Sequence, residues 1–224
     1  MFLLIIIMIA SGLVSWVLKS KLEKYSRTAL QSNLSGQEVA QMMLRDNGIY
    51  DVKVISTDGQ LTDHYNPADK TVNLSNEIFY GRNAAAVAVA AHEVGHAVQH
   101  AEAYAWLGFR SAMVPMLSFT SRFMPWILMG GVLMLEYTPV PLTIGVAMFA
   151  LTTLFSFITL PVEFDASARG LKYIESRGIV TSSEHALSKD ALHWAAMTYV
   201  VAALSSLATL MYYVMLFLGA NKRE

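Results

Sequence analysis

The chain has 224 residues, of which 54% are hydrophobic and only 15% are charged, and its mean hydropathy is +0.42. This composition is too apolar for an ordinary soluble domain and predicts several membrane-spanning segments. The formal net charge of −1 indicates no basic surface, so no nucleic-acid partner is expected. The absence of cysteine excludes disulfides and thiolate metal sites, and leaves histidine and carboxylate as the ligands for any zinc ion.

Four apolar stretches are long enough to cross a bilayer, which takes about 17–25 mostly apolar residues. The first spans residues 1–18 and ends at a lysine-rich segment. Because it lacks a basic start and a small-residue cleavage site, it predicts a retained anchor rather than a cleaved signal peptide. Two more membrane-spanning helices are expected within residues 111–160, and a fourth within residues 198–220.

Basic residues cluster in the two intervening segments, residues 19–110 and 161–197. Positive charge is retained on the cytoplasmic side of a membrane, so we expect both segments in the cytoplasm and both termini outside. The pair of spans between the segments brings them to the same side, where they can form a single site. The sequence thus predicts a multi-pass plasma-membrane protein with the lipid bilayer as a partner.

The first soluble segment contains signals for helices and strands. Ser35 and Glu38 fit a capping box, and Asn83 is the expected N-cap of a later helix. Tyr50–Ser56 alternates in the manner of a strand, and Thr71–Ser75 predicts a second short strand. We expect an antiparallel sheet, in which Thr71–Ser75 is either an exposed edge that pairs with an extended peptide or part of an ordinary hairpin.

The helix predicted over residues 83–99 contains the motif HEVGH. Residues four apart lie on one helix face, so His92 and His96 can reach one ion, whereas Glu93 projects roughly 100° away, where it can hold a water molecule. Gly95 costs about 1 kcal/mol relative to alanine, which makes sense where something approaches the backbone beside the ion. The motif indicates a zinc peptidase, and the alternative is a pair of surface histidines.

A catalytic zinc site usually has three protein ligands and one position left for water. His100 lies about 12 Å along the helix axis from His92, which is too far for the two to share an ion. Glu163 is a better candidate, because it lies where a helix leaves the third span, on the same side of the membrane as His92. Asp165 points to the opposite helix face and remains the alternative ligand.

Four blocks of the sequence resemble a known family over nearly the whole chain. They are AAHEVGHAVQ at 90–99, DHYNP at 63–67, PVEFDASARG at 161–170 and AAMTYVVAAL at 195–204. The blocks are similar to those of bacterial neutral zinc metallopeptidases, the YugP-like membrane proteases. That resemblance implies a gluzincin-type peptidase with a zincin-like catalytic domain.

The resemblance implies that His92, His96 and Glu163 bind Zn²⁺. The chain is also similar, more distantly, to HtpX-type and CaaX-prenyl-protease-type membrane peptidases. In those proteins an aspartate four residues after the glutamate ligand orients a histidine, but here that position is Ser167. The orienting role is therefore open between Ser167 and Asp165.

The same resemblance implies Glu93 as the general base of peptide-bond hydrolysis. The expected function is a zinc-dependent endopeptidase that acts on peptide or protein substrates, by analogy in membrane-protein quality control. The donor that stabilises the oxyanion is open among Arg169, His193 and Tyr199. Two alternatives remain: a non-catalytic zinc-binding membrane scaffold or regulator, and a site-2-type protease with the histidine motif inside a span.

The expected fold is mainly α, with about four transmembrane helices and a small α+β zincin-like domain that contains a short antiparallel sheet. The anchor at 1–18 precedes the catalytic segment 19–110 with its HExxH helix. Two transmembrane helices follow at 111–160. The third-ligand helix and a cap occupy 161–197, and the last transmembrane helix occupies 198–220.

Overall fold

A computed structural model describes residues 2–220, so Met1 of the predicted anchor lies outside the described residues. The described chain is mainly helical. The helices are α1 (Phe2–Ser26), α2 (Gly36–Asp46), α3 (Asn76–Phe79), α4 (Ala84–Ala101), α5 (Ala105–Leu133), α6 (Val140–Ser176) and α7 (Ser182–Ala220). The strands are β1 (Lys53–Thr57), β2 (His64–Asn66) and β3 (Thr71–Ser75).

Three helical segments within residues 2–220 are long and apolar enough to cross a membrane. They are Ile5–Ser26 of α1, Val140–Ser176 of α6 and Ser182–Gly219 of α7. Helix α5 covers the second span predicted from the sequence, but it is not among the three, and it contains Pro115 and Pro125. Helix α4 is not among them either, so the site-2-type arrangement, with the histidine motif inside a span, gains no support.

The long helices pack in a row, with α1 against α7, α7 against α6, and α6 against α5. Helix α6 continues through Pro161, so it joins the predicted third span to the segment that carries Glu163. Helix α4 packs across α6 and α7 on one face and is covered by α2 on another. Alanine makes up much of α4, and this narrow helix is buried on nearly every side, at the centre of the hydrophobic core.

The sheet is mixed rather than antiparallel, which corrects the prediction made from the sequence. Its strand order is β1-β3-β2, with β3 parallel to β1 and antiparallel to β2. The central strand β3 (Thr71–Ser75) is hydrogen-bonded on both sides, so it is not the exposed edge that the peptide-pairing prediction required. Thr71–Ser75 does form a hairpin, but its partner is β2 (His64–Asn66), which was not predicted as a strand, whereas the predicted strand β1 pairs with it in parallel. The error arises because β1 pairs with β3 although β2 lies between them in the sequence, and no local pattern indicates this pairing.

Local predictions of helix starts agree with the structure. The hydroxyl of Ser35 accepts a hydrogen bond from the Glu38 backbone amide, while the Glu38 side chain accepts one from the Ser35 amide. The side chain of Asn83 accepts a hydrogen bond from the amide of Ala86 and begins α4 as predicted. These contacts lie within four residues of one another, which is why the sequence alone predicts them.

Helices α4 and α6 cross with their backbones almost in contact. A Cβ atom on Gly95 would lie 2.5 Å from the carbonyl oxygen of Ala166, and one on Gly170 would lie 2.9 Å from the carbonyl carbon of Ala91. The prediction that something approaches the backbone at Gly95 is therefore confirmed, and the approaching element is helix α6. This crossing brings Glu163 of α6 beside the histidines of α4.

Candidate metal centre

His92, His96 and Glu163 converge at the crossing of α4 and α6. The Oε2 atom of Glu163 lies 3.3 Å from Nε2 of His92 and 3.6 Å from Nε2 of His96. The closest ligand atoms of all three side chains lie within 4.8 Å of one another, a grouping that can hold a metal ion. The two histidines come from successive turns of one helix, and the carboxylate comes from a second helix that is far away in sequence.

The geometry of these donors fits a zinc ion. Zinc bonds to imidazole and carboxylate of about 2.0–2.1 Å in a tetrahedral site place ligand atoms roughly 3.3–3.4 Å apart. The measured separations of 3.3 and 3.6 Å are close to this value. Moreover, Oε2 of Glu163 is buried and has no hydrogen-bond partner among the described residues. A buried acceptor is costly without a partner, and a cation between Oε2 and the two imidazoles supplies one.

The second carboxylate oxygen of Glu163 faces a different partner. Arg110, near the start of α5, places Nη1 3.3 Å from Oε1 of Glu163. One oxygen thus points toward the imidazoles and the other toward a guanidinium. This division leaves Oε2 free to bind a metal ion as a single donor, which preserves room for water at the site.

Each histidine is held through its Nδ1 atom by a different neighbour. Nδ1 of His92 lies 3.0 Å from the hydroxyl of Ser167, and Nδ1 of His96 lies 3.0 Å from Oε1 of Gln99. Gln99 in turn donates to the carboxylate of Asp165 over 2.8 Å. Ser167 therefore contacts a histidine directly, while Asp165 reaches the other histidine only through Gln99.

The carboxylates of Glu163 and Glu93 create a negative electrostatic potential around His96, which favours a cation at the candidate metal centre. Burial lowers the pKa of His96, but the neighbouring carboxylates of Glu163 and Glu93 raise it by more, so this pKa lies above its ordinary value of 6.5. An imidazole that attracts a proton so strongly lies in a negative potential. The same potential attracts a divalent metal ion.

Glu93 faces a cleft of about 650 Å³ that also contains His92 and Glu163. The walls come from the end of α1, the loop between β1 and β2, α3, α4, and the first half of α7. Apolar side chains such as Leu18, Leu22 and Leu192 line much of this cleft. A carboxylate beside the candidate metal ligands, in a cleft of this size, can accept a proton from a water molecule next to the site.

The structure separates the three candidates for oxyanion stabilisation. Tyr199 of α7 lines the cleft together with Glu93. Among the described residues, Arg169 and His193 do not line it. Arg169 pairs instead with Asp165 over 2.6 Å and with Glu102 over 2.7 Å. Tyr199 is therefore the only one of the three that the described cleft brings near the candidate metal ligands.

The other histidines lie elsewhere. His100 forms a hydrogen bond of 2.7 Å with the hydroxyl of Tyr65 and lines a separate cavity of about 170 Å³. His64 contacts the carbonyl oxygen of Thr62, and His185 lies 3.8 Å from a carboxylate oxygen of Glu175. Neither His100 nor His64 lines the cleft in the described part of the chain, and the exclusion of His100 as a zinc ligand stays a prediction.

Two contributing residues were not foreseen from the sequence. Gln99 follows His96 by three residues, a spacing that puts both on one helix face and that could have identified it. Arg110 gives no comparable signal, because its contact with Glu163 depends on how α5 packs against α6.

A histidine pair four residues apart on a helix, completed by a glutamate from a second helix, is the ligand set of a class of zinc-dependent hydrolases. The chain belongs to a family described as putative neutral zinc metallopeptidases, whose model matches residues 1–218. A curated relative, the Putative membrane protease YugP of Bacillus subtilis (strain 168), is 42% identical over 215 residues, which cover 95% of each chain. No solved structure matches the chain. The family predicted from the sequence is thus confirmed.

Proposed function

We propose that this protein is a multi-pass membrane endopeptidase that uses zinc to hydrolyse peptide bonds. One observation carries the proposal: the buried Oε2 atom of Glu163 has no hydrogen-bond partner in the described part of the chain, yet it lies at zinc-ligand spacing from Nε2 of both His92 and His96. A carboxylate on the same helix, Glu93, borders the cleft beside these three residues. The family and the curated relative support the same activity.

His92, His96 and Glu163 would hold the metal ion. When bound, zinc supplies Lewis acidity, which polarises the scissile carbonyl and makes water a nucleophile near neutral pH. Glu93 accepts the proton of the attacking water and then gives it to the leaving amine. Its position in α4, one residue after His92, places the carboxylate roughly 100° around the helix from that side chain and at the wall of the cleft.

Tyr199 is our candidate for the donor that stabilises the oxyanion. Tyr199 lines the cleft that Glu93 borders, and a hydroxyl group can donate a hydrogen bond to the oxygen where negative charge develops. Arg110 has a different role in this proposal. It holds Oε1 of Glu163, so that only Oε2 turns toward the metal ion.

The position of the cleft is consistent with a substrate that binds close to the membrane. Part of its wall is the end of α1, where the apolar segment gives way to Lys19 and Glu23, and part is α7, a second candidate span. We propose that α5 also crosses the bilayer and that the site faces the cytoplasm, as the distribution of basic residues predicts. A protease in this position can act on membrane proteins, which is the basis for proposing a quality-control role.

The test of this function separates zinc binding from hydrolysis. In Glu93→Gln we expect about one zinc ion per chain and a fall in hydrolysis of about 10²–10⁴-fold, because the general base is lost and the metal ligands are not. Zinc is measured by atomic absorption, and activity is measured with a quenched fluorogenic peptide library in detergent micelles.

The matched control is Glu77→Gln, which removes another carboxylate that lines the same cleft. It should retain both zinc and hydrolysis. Wild-type hydrolysis in Glu93→Gln would rule out the general-base assignment. A wild-type protein that binds zinc but cleaves no peptide of the library would favour the non-catalytic scaffold instead. At present that alternative has less support, because three metal-ligating side chains, rather than four, gather within the described residues.

A further inference from the structure

Gln99 is a buried amide with a partner for each of its polar atoms. It lies in α4, three residues after His96, and its side chain is inaccessible to solvent. Its Nε2 atom lies 2.8 Å from the backbone oxygen of Val162 and 2.8 Å from Oδ2 of Asp165. Its Oε1 atom lies 3.0 Å from Nδ1 of His96. Two of the three contacts therefore lead to α6, the helix that also supplies Glu163.

These partners determine which way the amide points. The carbonyl oxygen of Val162 can only accept a hydrogen bond, and the carboxylate of Asp165 also accepts one here. If the amide were rotated by 180°, its oxygen would face two acceptors at 2.8 Å, so both hydrogen bonds to α6 would be lost and the oxygens would repel one another. The Nε2 group of Gln99 must therefore face α6, and Oε1 must face His96.

The fixed amide in turn determines where His96 carries its proton. An amide oxygen has no hydrogen to donate, so the contact with Nδ1 of His96 is a hydrogen bond only if Nδ1 carries the hydrogen. The neutral imidazole then has its lone pair on Nε2, the atom that lies 3.6 Å from Oε2 of Glu163. We propose that Gln99 is a positioning residue that holds His96 in the Nδ1–H tautomer, with Nε2 free to bind the metal ion.

The two candidate histidine ligands differ in this respect. The neighbour of His92 is the hydroxyl of Ser167, which can donate or accept a hydrogen bond. Ser167 therefore supports the ring of His92 without selecting a tautomer. Of these two histidines, only His96 has a partner that selects one tautomer, because that partner is an amide whose orientation is already determined.

The anchoring of Gln99 extends to the surface of the protein. Arg169 donates to the same oxygen of Asp165 that accepts from Gln99, and it also pairs with Glu102 at the C-terminal end of α4. This chain of contacts links the end of α4 to α6 beside the metal centre. The use of the selected tautomer rests on the proposed zinc site, but the tautomer itself can be measured in the metal-free protein. There the buried Oε2 of Glu163, 3.6 Å from Nε2 of His96, favours a hydrogen on Nε2, so a hydrogen found on Nδ1 is a strict test of the role of Gln99.

The first measurement is the ¹⁵N NMR spectrum of the metal-free full chain in micelles, labelled at histidine and recorded at alkaline pH, where the imidazoles are neutral. The signal of His96 is assigned by its loss in His96→Gln. We expect His96 to have a hydrogen on Nδ1 and a lone pair on Nε2, and His92 to show a mixture of tautomers. A hydrogen on Nε2 of His96 in the wild-type protein would overturn the proposal.

The second measurement is the zinc dissociation constant of Gln99→Met, obtained by competition with a chelator. Methionine has a similar shape, but its thioether is only a weak acceptor for His96 and cannot donate to α6, so we expect zinc binding to weaken by about 10–100-fold. The control is Ser188→Ala, which removes a fully buried hydroxyl that donates to the backbone oxygen of Ala84 in α4 without contact with a ligand.

Ser188→Ala should lower the melting temperature of the metal-free protein and leave the zinc dissociation constant unchanged. An equal zinc dissociation constant in Gln99→Met and the wild-type protein would reduce Gln99 to a structural role. If Gln99→Met does not fold, the wild-type NMR spectrum still decides the proposal. Neither measurement uses peptide hydrolysis. A chain that binds no zinc would contradict the proposed function, while the tautomer of His96 would still be tested in the metal-free protein.

Discussion

Two other helices approach helix α6 closely, and the two contacts have different roles. Near its start, a Cβ atom on Gly131 of α5 would lie 2.5 Å from the backbone nitrogen of Leu142. Further along, a Cβ atom on Gly95 of α4 would lie 2.5 Å from the backbone oxygen of Ala166. Both crossings depend on a glycine that allows backbones to come together.

The surroundings of the two crossings differ. The crossing of α5 with α6 is packed with apolar side chains, among them Leu128 and Leu142, both buried. The crossing of α4 with α6 also contains buried apolar residues, but here polar side chains contact one another across the helices, as Gln99 and Asp165 do. A small displacement at the first crossing costs packing energy, whereas at the second it also separates metal ligands. Close helix packing therefore stabilises the fold at one end of α6 and assembles the candidate metal centre at the other.

The largest effect is expected for Glu163, the carboxylate among the three candidate ligands at the crossing of α4 and α6. Glu163→Ala should lower the zinc content from about one ion per chain to nearly none, because two histidines alone do not form a stable site. The matched control is Thr159→Ala, which removes a buried polar group one turn earlier on α6 that bonds only the backbone oxygen of Phe155. Zinc content is measured after dialysis. Full retention of zinc in Glu163→Ala would rule out this residue as a ligand.

Gly95 and Gly131 offer a direct test of the difference between the two helix crossings. Gly95→Ala and Gly131→Ala each place a methyl group against neighbouring backbone, and each should destabilise the fold by about 1–3 kcal/mol. Only Gly95→Ala should also weaken zinc binding, by about 10²-fold, because α6 must move away and take Glu163 with it. The melting temperature and the zinc dissociation constant are measured for both variants. Equal zinc affinities would show that the close approach at Gly95 serves packing alone.

Tyr199 tests whether the cleft contributes to chemistry beyond the metal ligands. Tyr199→Phe removes one hydroxyl group from the wall of the cleft. If that group stabilises the oxyanion, kcat should fall by about 10²–10³-fold while KM and zinc content change little. His193→Gln is a suitable control, because His193 was an equal candidate from the sequence but is exposed and does not line the described cleft. A loss of kcat in His193→Gln with none in Tyr199→Phe would reverse the assignment.

The features that the sequence could predict are those that depend on local spacing. His92 and His96 lie on one helix face because they are four residues apart, and Ser35 caps α2 together with Glu38 for a similar reason. Glu163 is distant in sequence, and it could be predicted only because a carboxylate at the end of an apolar stretch needs a partner.

The remaining features depend on contacts between distant segments. The order of the sheet requires β1 to pair with β3 over β2, and no local pattern encodes this choice. Arg110 lies in a helix that was predicted only as a span, and it reaches Glu163 because α5 packs against α6. The spacing of Gln99 from His96 could be recognised in the sequence. Its role, however, depends on its hydrogen bonds to Val162 and Asp165, which are more than sixty residues away.

The smallest expected effect concerns a carboxylate in the cleft wall that lies away from the polar crossing. Burial raises the pKa of Asp63 above its ordinary value of 3.8, and the backbone and side-chain hydrogen bonds from Ser75 offset only part of this. A carboxyl group with a raised pKa in the folded state favours folding below pH 3.8, and this contribution is lost as the pH rises through the raised value. Ionised Asp63 therefore destabilises the folded protein at neutral pH.

Asp63→Asn removes that charge and keeps an oxygen that can accept from the amide of Ser75. Its melting temperature should exceed that of the wild-type protein by about 1–2 °C at pH 7–8, the size of a fraction of a kcal/mol in a chain of this length. The difference should shrink as the pH falls toward 3.8, whereas the exposed control Asp69→Asn should show no such trend. Zinc affinity should not change in either variant. A weaker zinc affinity in Asp63→Asn would mean that the candidate metal centre depends on the cleft wall as well as on the crossing of α4 and α6.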